Sequence, residues 1–120
     1  MPTILTVDDS ASMRQMVGFA LKSVGHQVLE AFDGVDGLEK AQESQMDAFI
    51  IDINMPRMDG FTLVEELRKL PQYEFTPMLV LTTETSVEKK QRGRAAGATG
   101  WLVKPFNPEQ LVSTLRRVIR

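Results

Sequence analysis

The chain carries no cysteine and a single histidine, so thiolate metal sites, cysteine nucleophiles and two-histidine zinc sites are excluded. Chemistry falls to oxygens and amines. The candidates are Asp8-Asp9, Asp52, Thr82-Thr83 and Lys104-Pro105. Three carboxylates brought together repel one another, and Lys104 sets one positive charge against three negative ones. A divalent cation would balance the remainder. An all-oxygen donor set selects a hard ion, Mg²⁺ first, with Mn²⁺ as a substitute. Taken singly, each Asp is equally well a helix cap in a loop. Taken together, at matching places in the chain, they point to one shared site.

Those places are the ends of short apolar runs: 4–7 before Asp8-Asp9, 48–51 before Asp52, 78–81 before Thr82-Thr83 and 100–103 before Lys104. A fifth run spans 27–31. Between the runs lie stretches with helical spacing. Met13, Met16, Val17, Ala20, Leu21 and Val24 recur at three and four. Phe61, Val64, Leu67 and Leu70 do the same, as do Leu111, Leu115, Val118 and Ile119. Ser10 can cap the first helix and Gly25 close it. Asp33-Gly34 marks a turn before a helix over 35–43. Thr85 with Glu88 predicts a capping box, and Gly97 a helix stop. Asn107-Pro108-Glu109-Gln110 predicts a cap followed by proline at the first helical position. Gly93, inside the fourth helix, costs up to about 1 kcal/mol relative to Ala.

Five strands alternating with five helices predict an α/β fold, a parallel sheet covered on both faces. Five units are too few for a (βα)₈ barrel. Right-handed crossovers allow an open, doubly wound sheet. Ligands of such sheets bind outside the carboxyl ends of the strands, where the strand order reverses. If strands 1 and 3 flank that point, three carboxylates, a hydroxyl and an ammonium converge there. Adjacent residues of a regular strand face opposite ways, so Asp8 and Asp9 can share a site only where strand geometry has ended.

At 120 residues the chain has room for one domain, 1–120, without a linker. With 42% apolar and 25% charged residues it has a soluble globular composition. A net charge of −2 gives no global pull toward nucleic acid or an anionic membrane. The apolar runs are far short of a membrane span, and the N-terminus lacks a signal peptide's basic region. The expectation is a cytoplasmic protein without membrane insertion.

Four segments in register then carry a resemblance: Val7-Asp8-Asp9-Ser10, Asp52 through Gly60, Leu81-Thr82-Thr83, and Val103-Lys104-Pro105-Phe106. Over essentially the whole chain the sequence resembles the receiver domains of two-component response regulators, most closely the single-domain, CheY-like chemotaxis type. The resemblance implies a five-stranded sheet of order 2-1-3-4-5. It implies that Asp52 is the phosphoacceptor and that Asp8 and Asp9 hold Mg²⁺, with the Asn54 backbone carbonyl as a further ligand. Thr82 would be the switch hydroxyl and Lys104 the partner of the phosphoryl group. The Lys104-Pro105 bond would be cis. Trp101 stands at the aromatic switch position, usually Tyr or Phe, and Asn54 and Glu84 at positions that tune phosphoryl loss. The implied partners are a sensor histidine kinase of the CheA type as donor and a downstream protein on the surface of helix 4, strand 5 and helix 5. A monomer that catalyses only its own phosphorylation and dephosphorylation is expected, with no nucleic acid bound.

A metal-independent interaction module that keeps the fold is argued against by the complete acidic set, and two further alternatives stand beside it. One is a Mg²⁺-dependent phosphatase or phosphotransferase with an aspartyl nucleophile, although Asn54 stands where such an enzyme needs a carboxylic acid and no cap-sized insertion is present. The other is a receiver excised from a longer regulator. The stretch 88–94 carries a local charge of +3, which fits a solvated helix face or an acidic partner. His26 reads as a turn residue rather than a catalyst.

Overall fold

The computed structural model describes residues 1–119. Elements alternate along the chain: β1 (Thr3–Val7), α1 (Ala11–Lys22), β2 (Gln27–Ala31), α2 (Gly34–Glu43), β3 (Ala48–Ile51), α3 (Gly60–Arg68), a 3₁₀ turn (Pro71–Tyr73), β4 (Met78–Thr82), α4 (Val87–Ala96), β5 (Gly100–Val103) and α5 (Pro108–Val118). All strand pairs are parallel, in the order β2-β1-β3-β4-β5. The order reverses between β1 and β3, as expected.

Alternation along the strands builds a core on each face. Leu5, Val7, Phe49 and Ile51 pack with Leu63, Val64 and Leu67 of α3 and Ala41 of α2. Ile4, Ala48, Ile50, Leu79 and Leu81 face the other way, toward Val17 and Leu21 of α1 and Leu111 and Leu115 of α5. β3 and β4 are buried throughout, as central strands covered on both faces must be. β2, at the sheet edge, is mostly exposed.

The helix starts follow the capping rules, with one correction. Ser10, Asp33, Asp59 and Asn107 each accept from backbone N–H groups of the first turn. The predicted Thr85–Glu88 box does not form. Ser86 caps α4 by accepting from Lys89 N, so the helix begins one residue later than a Thr85 cap requires. Ser at the cap serves as well as Thr, and register rather than residue type decided between them. Gly97 closes α4 with φ 118, and Gly25 takes φ 93 just beyond α1. His26 lies in the α1–β2 turn, and neither of its buried ring nitrogens has a hydrogen-bond partner. Burial, then the charges of Arg116 and the N-terminus, lower its pKa.

Candidate functional site

The site lies at the carboxyl ends of β1, β3, β4 and β5. β1 ends at Val7, so Asp8 and Asp9 follow it outside strand geometry and both can face the site. Asp8 is buried and Asp9 exposed, yet an oxygen from each lies within 4.8 Å of one from Asp52 and of the other. Asp8 Oδ1 accepts from the Ser10 N–H at 2.9 Å, and Asp52 Oδ1 from the Ile53 N–H at 2.8 Å. The remaining oxygens share one cation: Lys104 Nζ donates to Asp8 Oδ2 at 2.8 Å and to Asp52 Oδ2 at 3.3 Å.

Electrostatics follow from this crowding. Burial pushes the Asp52 carboxyl up. Lys104 opposes that rise and the Asp8 charge adds to it, and the net shift is upward. Burial also disfavours the charge on Lys104, but its hydrogen bond to Asp8 and the two carboxylate charges outweigh that and raise its pKa. One ammonium thus serves a three-carboxylate cluster. The excess negative charge and the clustered hard oxygens suit a divalent cation such as Mg²⁺.

Thr82 ends β4 fully buried, and its Oγ1 accepts from the Glu84 N–H at 3.4 Å. The Lys104 N–H donates to the Thr82 carbonyl at 2.8 Å, tying the ends of β4 and β5 together. The Lys104-Pro105 bond is cis, as expected. Asn54 and Glu84 meet across the mouth of the site, where Asn54 Nδ2 donates to Glu84 Oε1 at 3.3 Å. Trp101 lies apart from the carboxylates. Its Nε1 donates to the Glu84 carbonyl at 3.0 Å, and its ring packs near Phe61.

Sequence reasoning missed three supporting residues. Arg14 of α1 donates to the Asp8 carbonyl and pairs with Glu30. Arg57, at φ 66 in the β3–α3 loop, makes a two-pronged pair with buried Asp33 at 2.6 and 3.1 Å. The loop beside Asp52 is thereby pinned to the start of α2. Gly60 packs against the Asp52 backbone so closely that a Cβ would lie 2.2 Å from the Asp52 carbonyl oxygen. The Asp59-Gly60 dipeptide signals a turn in the sequence, but this close approach needs the folded loop to be seen.

Comparison with known proteins agrees with this geometry. The model of the response regulator receiver domain matches residues 4–116. The structure of the chemotaxis response regulator CheY4 of Vibrio cholerae is 57% identical, with a TM-score of 0.94 over 99% of each chain. Sensor histidine kinase CheAY of Helicobacter pylori is 34% identical over 98% of this chain, which spans 15% of that protein. Protein PilG of Pseudomonas aeruginosa is 31% identical over 94% of this chain and 84% of its own length. The chain spans half or less of the length of the first curated relatives it matches. These likenesses do not favour the phosphatase alternative. With the receiver model, the strand order and the acidic cluster at the switch point in agreement, the chain belongs to the response regulator receiver domains, the signalling switches of two-component systems.

Proposed function

We propose that Asp52 accepts a phosphoryl group from the phosphohistidine of a sensor kinase and that the modified chain signals through α4, β5 and α5. The observation that carries this is the set of three carboxylates within 4.8 Å, bridged at Asp8 and Asp52 by the Lys104 ammonium. In the transfer, an Asp52 oxygen forms the new P–O bond. The P–N bond to the donor imidazole breaks, and its electron pair returns to the nitrogen. A carboxylate approaching a phosphoryl group meets anion–anion repulsion, which Lys104 reduces from inside the site. Asp8, Asp9, Asp52 and the Asn54 carbonyl would hold Mg²⁺, which when bound neutralises charge on the phosphoryl oxygens. The same site would release the group slowly to water, with no small-molecule turnover, and Asn54 and Glu84 at its mouth would govern water's approach.

Thr82, at the end of β4, would give a hydrogen bond to the new anion. The acyl phosphate adds about two negative charges and strong acceptor oxygens, and the Thr82 hydroxyl would turn toward them. Glu84, bonded to Thr82 Oγ1, would move with it and carry the change toward α4. α4 buries only Gly93, so its charged residues Lys89, Lys90, Arg92 and Arg94 suit an acidic partner surface. Similarity to CheY4 over 99% of each chain favours a chemotaxis-type pathway with a CheA-type donor. No helix of the described residues is long and apolar enough to cross a membrane.

Incubation with Mg²⁺ and acetyl phosphate, followed by intact-mass measurement, tests this. A labile adduct of one phosphoryl group is expected, lost in Asp52→Asn and without metal. Sustained turnover of phosphomonoesters with no adduct would refute it in favour of an enzyme.

A further inference from the structure

Gly93 is buried in the middle of α4, a helix otherwise at the surface. A Cβ at this position would lie 2.7 Å from Cζ3 and 3.0 Å from Cε3 of Trp101. The edge of the indole therefore occupies the space that a side chain at 93 would need. Two further contacts hold the ring. Its Nε1 donates to the Glu84 carbonyl at 3.0 Å, and Phe61 lies tilted by 30° with its centroid 6.3 Å away. Arg92 covers Phe61 in turn, its guanidinium 4.2 Å from that ring's centroid. The β4–α4 loop, α3 and α4 thus all contribute to one seat.

We infer that Gly93 is the seat of Trp101, holding the indole inward whether or not Asp52 carries a phosphoryl group. Phosphorylation would then be read by the β4–α4 loop moving around a stationary ring, not by a swing of the ring. Trp needs more room than Tyr or Phe, and a close-packed interior does not hold such a space in reserve. Here the missing side chain at 93 supplies it permanently. The indole also grips the residue through which a signal from the site would leave. Glu84 donates its N–H to Thr82 Oγ1 and accepts from Asn54 through its carboxylate. Movement of Thr82 can therefore reach α4 through Glu84 without rotation of Trp101. The signalling half of this inference rests on Asp52 being the phosphoacceptor; the seat itself does not.

Trp101 is the only tryptophan, so its fluorescence reports on it alone. Iodide quenching of the wild type should be weak. It should stay unchanged as Mg²⁺ and acetyl phosphate build up the adduct followed by intact mass. In Gly93→Ala the new methyl meets the far end of a side chain, so the ring should leave rather than the helix unfold. Emission should shift to the red and quenching rise several-fold, with circular dichroism unchanged. A several-fold change in quenching on phosphorylation, in either direction, would overturn the stationary ring, and unchanged quenching in Gly93→Ala would overturn the seat. If Gly93→Ala does not fold, the double variant Gly93→Ala/Trp101→Phe decides: its folding supports the seat and its failure to fold overturns it. Absence of any adduct would refute phosphoacceptance at Asp52, while the Gly93→Ala comparison would still decide the seat.

Discussion

Lys104 sits between two buried carboxylates, with 12% of its side chain exposed. Removing it leaves Asp8 and Asp52 facing each other without a counter-charge. Lys104→Ala should therefore destabilise the fold by about 1.5–3 kcal/mol, the range for hydrogen bonds to charged groups. Chemical denaturation in metal-free buffer measures this, and added Mg²⁺ should recover part of the loss. Asp9 differs because it is exposed. Asp9→Ala should leave metal-free stability within about 0.5 kcal/mol of wild type, as surface substitutions usually do. It should weaken the response to Mg²⁺, which a titration of the thermal midpoint would show.

At the scale of elements, two ties hold loops that the core does not. Tyr73, fully buried beside the edge of the Phe49 ring, shares its one hydroxyl proton between the carbonyls of Ala41 at 2.6 Å and Ser44 at 2.9 Å and accepts from the Met46 N–H. It joins the end of α2 to the start of β3. Tyr73→Phe leaves the buried Ala41 carbonyl and Met46 N–H without this partner and should cost about 1–3 kcal/mol by denaturant unfolding. The second tie is Asp33 with Arg57. The hydrogen bonds from Arg57 are the largest influence on the Asp33 carboxyl, and they hold its pKa below the ordinary range. A lowered folded pKa stabilises above the unfolded value of about 3.9, and that stability is lost as pH falls through the folded value. Arg57→Ala should accordingly be less stable than wild type at neutral pH. The gap should close in acid, as pH-dependent thermal melts would show. The sequence marked Asp33 only as a turn residue, because its partner is 24 positions away and local spacing carries no sign of it.

For the molecule as a whole, the cluster of like charges makes metal binding and folding a linked equilibrium. A ligand that binds only the folded state stabilises by about 2.7 kcal/mol at one hundred times its dissociation constant. Saturating Mg²⁺ should therefore raise the thermal midpoint by several degrees, and a chelator should reverse the rise. Asp52→Asn removes one charge of the cluster and should flatten that dependence. An unchanged midpoint in wild type across the titration would count against a metal at this site.

Sequence periodicity determined the α/β class and the strand positions, because buried parallel strands and amphipathic helices impose different spacings on apolar residues. It also placed Asp8, Asp9, Asp52, Thr82 and Lys104 at strand ends, which the folded chain brings to one place. The capping residue of α4 was not legible, since Thr85 and Ser86 satisfy the same chemistry and only the register of the helix separates them. Gly93 was visible as an anomaly within a helix, but its reason lies in β5, where Trp101 needs the space. Tertiary structure alone decided which carboxylates share Lys104, what pins the β3–α3 loop and where the indole rests. These depend on distances between residues far apart in the chain, which no local pattern encodes.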